Sequence, residues 1–205
     1  MGQMLVSILP PVRIAAPSVT FKLMRRIENS ESPFYSISSV SKNGSLYGLE
    51  GYSGLHDGWT QPVWYRSGKR VKKAFAIPAC SLPSGQPISK NDQLFKDFPT
   101  GGPTDCTWAV SGQRYPLKAG VDVCQLTYEG GYQNFSQVVV QVGRGKAKQL
   151  SALVPGLKQF ATANIIHIDR SGWMVVGGFK GSFYSSDNSY HIGAIGEQLY
   201  WISFK

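Results

Sequence analysis

Short runs in which apolar and polar residues alternate recur along this chain, and a period of two belongs to strands with one covered face, not to helices. Val19, Phe21 and Leu23 alternate with Thr20 and Lys22. Asn43-Gly44 separates the runs 34–40 and 45–49, and this dipeptide suits a type I′ hairpin turn, whose two central residues both need positive φ. Ser67-Gly68 divides 63–66 from 69–77, Glu129-Gly130-Gly131 divides 121–128 from 135–142, and Arg170-Ser171-Gly172 divides 165–169 from 173–179. Residues 198–204 make a last strand. Turns at this spacing predict a mainly β fold, an antiparallel β-sandwich or barrel with the jelly roll among its topologies.

One segment departs from that period. Leu150, Leu153, Val154, Leu157, Phe160 and Ala161 follow helical spacing, which predicts one short helix near 147–162, kinked or split where Pro155-Gly156 interrupts it. Residues 81–103 carry Pro83, Gly85, Pro87, Pro99, Gly101, Gly102 and Pro103, the composition of a long surface loop, with one helical turn expected around 94–98. Neither side of this loop has a composition of its own, so residues 1–205 are read as a single β-rich domain. A charged fraction of 16% beside 23 glycines argues against a helical bundle, and 42% hydrophobic residues argue against disorder.

The end of the chain is unusual. Leu199-Tyr200-Trp201-Ile202-Ser203-Phe204 has high β propensity with no charge and no proline, and exposed it would be an aggregation hazard. It must be paired and covered, either by closing a sandwich or barrel or by packing against an identical chain. A homo-oligomer, or contact with other virion subunits, is therefore the expected partnership. No apolar run reaches the ~20 residues of a membrane span. The apolar start 1–9 is not preceded by Lys or Arg, so no clear signal peptide is expected.

A formal charge of +9 favours acidic partners. The densest basic cluster is Arg66, Lys69, Arg70, Lys72 and Lys73, interleaved with Tyr65 and Phe75 and close to Trp64. Cations neutralise sulfates or phosphates while aromatic faces stack on sugars or bases, so this ribbon is the candidate polyanion-binding element. A solvated hairpin tip whose charges discourage edge pairing is the structural alternative. Tyr52, Trp59, Trp64 and Tyr132 stand near small polar residues or turns and are the candidate glycan-stacking aromatics, although large aromatics more often fill cores.

The run Asp105-Cys106-Thr107-Trp108-Ala109-Val110 resembles the cysteine segment of the CHAP and NlpC amidase and peptidase families, and His191-Ile192-Gly193-Ala194-Ile195-Gly196 resembles the histidine strand of NlpC-type enzymes. The resemblance implies Cys106 as nucleophile with His167 or His191 as base. In those families the cysteine opens a helix, whereas Ser111-Gly112-Gln113 and Pro116 here read as a turn. Cys80, Cys106 and Cys124 form no C-x-x-C pair, and His56, His167 and His191 lack metal-ligand spacing. No metal and no cofactor is expected. Three buried reduced thiols fit the pattern best, with one disulfide as the alternative.

These features favour a noncatalytic virion structural or attachment module of phage or viral type, located on a virion or outside the cell and binding a receptor, a glycan or another acidic polymer. The rivals are a secreted monomeric lectin or toxin-like domain, a nucleic-acid binder using the basic ribbon, and a cysteine hydrolase.

Overall fold

The computed structural model describes residues 18–26, 35–53, 58–59, 61–99, 108–130, 133–160, 162–179, 183–184, 195–196 and 198–205. In chain order, β1 (Val19–Arg26), β2 (Tyr35–Val40), β3 (Leu46–Ser53), β4 (Gly58–Trp59), β5 (Val63–Arg66) and β6 (Lys69–Val71) come first. β7 (Gln86–Pro87) and the helix α1 (Gln93–Asp97) precede β8 (Ala109–Pro116), β9 (Val121–Gly130) and β10 (Gln133–Val142). β11 (Lys148–Gln149), α2 (Leu150–Leu153) and a 3-10 turn (Pro155–Gln159) lead to β12 (Thr162–Asp169) and β13 (Trp173–Phe179). β14 (Phe183–Tyr184), β15 (Ile195–Gly196) and β16 (Gln198–Phe204) complete the described elements.

Among the described residues three antiparallel sheets form and no barrel closes. The central sheet runs β1-β16-β13-β12; a first outer sheet runs β15-β2-β3-β5-β6 with β4 on β3, and a second runs β11-β10-β9-β8-β7 with β14 on β10. Side-chain parity shows how they stack. Met174, Val176, Tyr200, Ile202 and Phe204 share a core with Val121, Val123, Val138 and Val140 of the second outer sheet. Their neighbours Trp173, Val175, Leu199 and Trp201 share another core with Ile37, Val40, Tyr47 and Leu49 of the first. The central sheet is thus apolar on both faces, which is why β13 and β16 read as continuous apolar runs and not as alternations.

The terminal strand is paired and covered as its composition requires, but from the inside: β16 lies between β1 and β13. Gln198, the buried polar residue of β16, has its Oε1 satisfied by Tyr200 Oη at 2.9 Å and Gln159 Nε2 at 3.2 Å. A third core, with Leu94 and Phe95 of α1 over Cys124, Leu126, Tyr128 and Val139, covers the far face of the second outer sheet.

Some local expectations hold and others change. The helical segment is split as Pro155-Gly156 dictates, into α2 and the 3-10 turn. Ser67 and Gly68 have φ of 49° and 81° and make the two-residue turn between β5 and β6. At Asn43-Gly44, however, only Gly44 has positive φ, and Ser41 N–H closes the loop on Leu46 O at 2.8 Å. The loop is wider than type I′ because Asn43 Oδ1 accepts from Ser45 N, Ser45 Oγ and Ser41 Oγ, an Asx arrangement that competes with the tight turn. Ser111-Gly112-Gln113 and Pro116, read as a turn, lie within β8, since pairing with β9 overrides the local Gly and Pro signals. The predicted strand 69–77 ends at Val71.

The Pro/Gly-rich loop at 81–103 is, over its described part, less a free excursion than a strap. Just before it, Ala79 bridges Ser39 and Cys80 N–H donates to Ser38 O. Ile168 N–H then donates to Ser81 O, β7 pairs β8, and Ile88 N–H reaches Gly112 O. Backbone hydrogen bonds made this way to all three sheets are what a proline-rich segment can offer without a ladder of its own. Residues 100–103 lie outside the described part.

Candidate functional site

The basic ribbon is the β5–β6 hairpin and the residues just after it. Register places Trp64 opposite Val71, Tyr65 opposite Arg70 and Arg66 opposite Lys69, and opposite residues share a face. On the inner face Tyr65 stacks on buried Tyr47, with ring centroids 5.4 Å apart and planes 9° apart, and the Arg25 guanidinium lies 5.7 Å from the Tyr65 ring. The hairpin is therefore anchored to the core through Tyr65, which leaves its other face for Trp64.

Trp64 lies across Gly48, its partner on β3: a Cβ built on that glycine would be 3.6 Å from Trp64 Cη2 and 2.8 Å from Ser38 Oγ. Phe75 meets Trp64 edge-on at 5.7 Å, and the Arg66 guanidinium lies 5.1 Å from the Phe75 ring. Pro62, Val63, Trp64, Arg70, Val71 and Lys72 line an open concavity of about 510 Å³. Arg66, Lys69, Arg70, Lys72 and Lys73 are all exposed, and none of them forms an ion pair among the described residues. A half-buried indole that shares a concavity with the exposed Arg70 and Lys72 can stack on a ring while the cations neutralise its anionic groups.

Of the other candidate aromatics, Tyr52 and Trp59 are cross-strand partners in the sheet that carries Trp64, and Tyr132 lies outside the described residues. Sequence reasoning missed Pro62 and Gly48. The β3–β5 register alone puts Gly48 against the indole, so no local signal could have found it, whereas Pro62, two residues before Trp64, was a local neighbour passed over.

Of the hydrolase candidates, Cys106 and His191 lie outside the described residues. His167 Nδ1 accepts the Ser81 N–H at 2.9 Å, and its ring packs 4.7 Å from that of Trp173. Burial holds its imidazole below the ordinary histidine value, against the opposing pull of Asp169. Cys80 and Cys124 are free thiols, pushed by burial up to about 12 and about 11, so neither is a thiolate at neutral pH. No group of three or more His, Cys, Asp or Glu among the described residues could hold a metal ion. Among these residues, too, no helix is long and apolar enough to cross a membrane.

No protein-family model matches the chain, and neither the curated proteins nor the solved structures contain a match to it.

Proposed function

We propose that the chain is a noncatalytic binding module that captures an acidic polymer, in the first place a sulfated or carboxylated glycan, on the face of its first outer sheet. The observation that carries this reading is the concavity around Trp64, lined by the exposed Arg70 and Lys72, on a hairpin whose Arg66, Lys69 and Lys73 are also exposed and form no ion pair among the described residues. Unpaired cations that are not held in ion pairs are free to release counterions when a polyanion binds. The indole adds a stacking face, and the comparable stacking of a base on an aromatic side chain is worth about 1–3 kcal/mol. Attachment of a phage or viral particle to an acidic host glycan is the setting we favour, because a rigid β scaffold with a basic, aromatic surface suits repeated weak contacts with a polymer.

Calorimetric titration with a sulfated oligosaccharide, a neutral oligosaccharide of the same length and a single-stranded RNA tests the reading. Expected are binding of the sulfated sugar that weakens steeply with salt, no binding of the neutral one, and a loss of roughly tenfold or more in Trp64→Ala, as a stacking contact of that size implies. Charge reversal at Arg70 and Lys72 should abolish binding. Undiminished affinity in that variant would remove the ribbon from consideration. RNA bound more tightly than the glycan would transfer the same face to nucleic acid.

A further inference from the structure

β1 is an outermost strand of the central sheet, with β16 on one side and no strand on the other among the described residues. Its register places Val19, Phe21 and Leu23 opposite Phe204, Ile202 and Tyr200, so all three face the core shared with the second outer sheet. Val19 packs against that core, but Phe21 and Leu23 remain 42% and 44% exposed. The second outer sheet therefore stops short of β1. Natural edge strands are guarded by proline, bulges or outward charges. The bulge of β1 falls beyond Leu23, and the one charge within 19–23, Lys22, is held on the opposite face, with Nζ 2.9 Å from Asn43 O and 5.3 Å from the Trp201 ring.

We propose that this edge is where two copies of the chain join, β1 against β1 in antiparallel register, about a two-fold axis at Phe21. The row of apolar residues on one face and the single Lys22 on the other make the edge self-complementary, and the charge together with the extent of β1 sets the register. An axis at Phe21 sets Val19 against Leu23 of the partner subunit and Thr20 against Lys22 of the partner subunit, so an apolar row meets an apolar row with no like charges opposed. Shifting the axis to Lys22 sets two lysines opposite each other, which destabilises, and shifting it to Thr20 leaves Leu23 with no residue of β1 opposite it. The basic ribbon belongs to the first outer sheet, across the central sheet from Phe21 and Leu23, so pairing does not press two cationic surfaces together. The product is one continuous antiparallel sheet, and its two-fold axis, perpendicular to that sheet, keeps both ribbons on the same side. Given the polyanion reading, the dimer would then grip one polymer at two points and gain by effective concentration. The dimer itself does not depend on that reading.

Sedimentation equilibrium of the full chain should give twice the chain mass of 22.5 kDa. Phe21→Lys should sediment at the single-chain mass with an unchanged near-ultraviolet circular dichroism spectrum. A residue on the axis faces its own copy at about 4.5–5.5 Å between Cα atoms, within disulfide reach. Oxidised Phe21→Cys should therefore cross-link to a dimer, while Val19→Cys and the wild type should not. A wild type of single-chain mass over a wide concentration range overturns the proposal. So does a Phe21→Lys dimer, or equal cross-linking at positions 19 and 21. A monomeric wild type whose stability falls in Phe21→Lys would place the cover within the same chain, and that too overturns it.

Discussion

Removing residues 199–205 takes away most of β16 and, with it, side chains from both cores of the central sheet. Leu199 and Ile202 are 0% exposed, Tyr200 4%, Phe204 7% and Trp201 8%. Burial of a side chain of this size stabilises by about 1.5–3 kcal/mol, so the five together contribute on the order of 10 kcal/mol, comparable to the whole stability of an ordinary domain, about 5–15 kcal/mol. β1 and β13 also lose the strand between them. The truncated chain is expected to lose soluble expression and its near-ultraviolet circular dichroism. A graded variant keeps the reasoning open to measurement: Ile202→Ala should cost about 2–5 kcal/mol, read as a fall of roughly 1–2 M in the urea midpoint with an unchanged slope. Ser203→Ala, on the same strand but half-buried, should cost less than about 0.5 kcal/mol. A truncated chain that still unfolds cooperatively from a native spectrum, or an Ile202→Ala loss under about 1 kcal/mol, would refute the placement of β16 at the centre.

Two further outcomes follow from particular contacts. The folded state holds the His167 imidazole neutral by burial, so its share of stability is complete above the unfolded value of about 6.5 and is lost as pH falls below that value towards the lower folded one. Urea midpoints from about pH 7 to about pH 5 should therefore drop more steeply in the wild type than in His167→Phe, and equal slopes would contradict the role. Gly44 and Gly68 both have positive φ, 66° and 81°, but a Cβ at Gly44 would lie 2.5 Å from Trp201 Cγ whereas one at Gly68 meets nothing within 4 Å. Gly68→Ala should cost only the left-handed backbone penalty, about 1–2 kcal/mol, and Gly44→Ala should add an overpacking cost of about 1–3 kcal/mol; chemical denaturation of the pair separates the two terms.

Legibility in the sequence followed how local each cause is. The Ser67-Gly68 turn depends on two residues and was readable from them. The split helix depends on Pro155-Gly156, again a local cause. Asn43-Gly44 misled because the side chains of Ser41 and Ser45 also bond Asn43, and Ser111-Gly112-Gln113 misled because pairing with β9 outweighs turn propensity. The alternation 19–23 was right in period, yet its apolar face proved only partly covered, since alternation states which residues share a face and not what lies against it. At the candidate site the five cations and Trp64 were visible as a cluster, whereas Gly48 was not, being a neighbour of the indole only through the β3–β5 register.

The sequence alone determined that the chain is built of antiparallel strands, that 199–204 must be covered, and that positive charge concentrates in one hairpin, because period, composition and charge act through near neighbours. Only the tertiary structure decided that the last strand lies inside the middle layer and the first at its edge, and that one face of the charged hairpin is anchored through Tyr65 while the other presents Trp64. Strand order and layer stacking are set by contacts between residues far apart in the chain, and the free energy of those contacts exists only once both partners are in place.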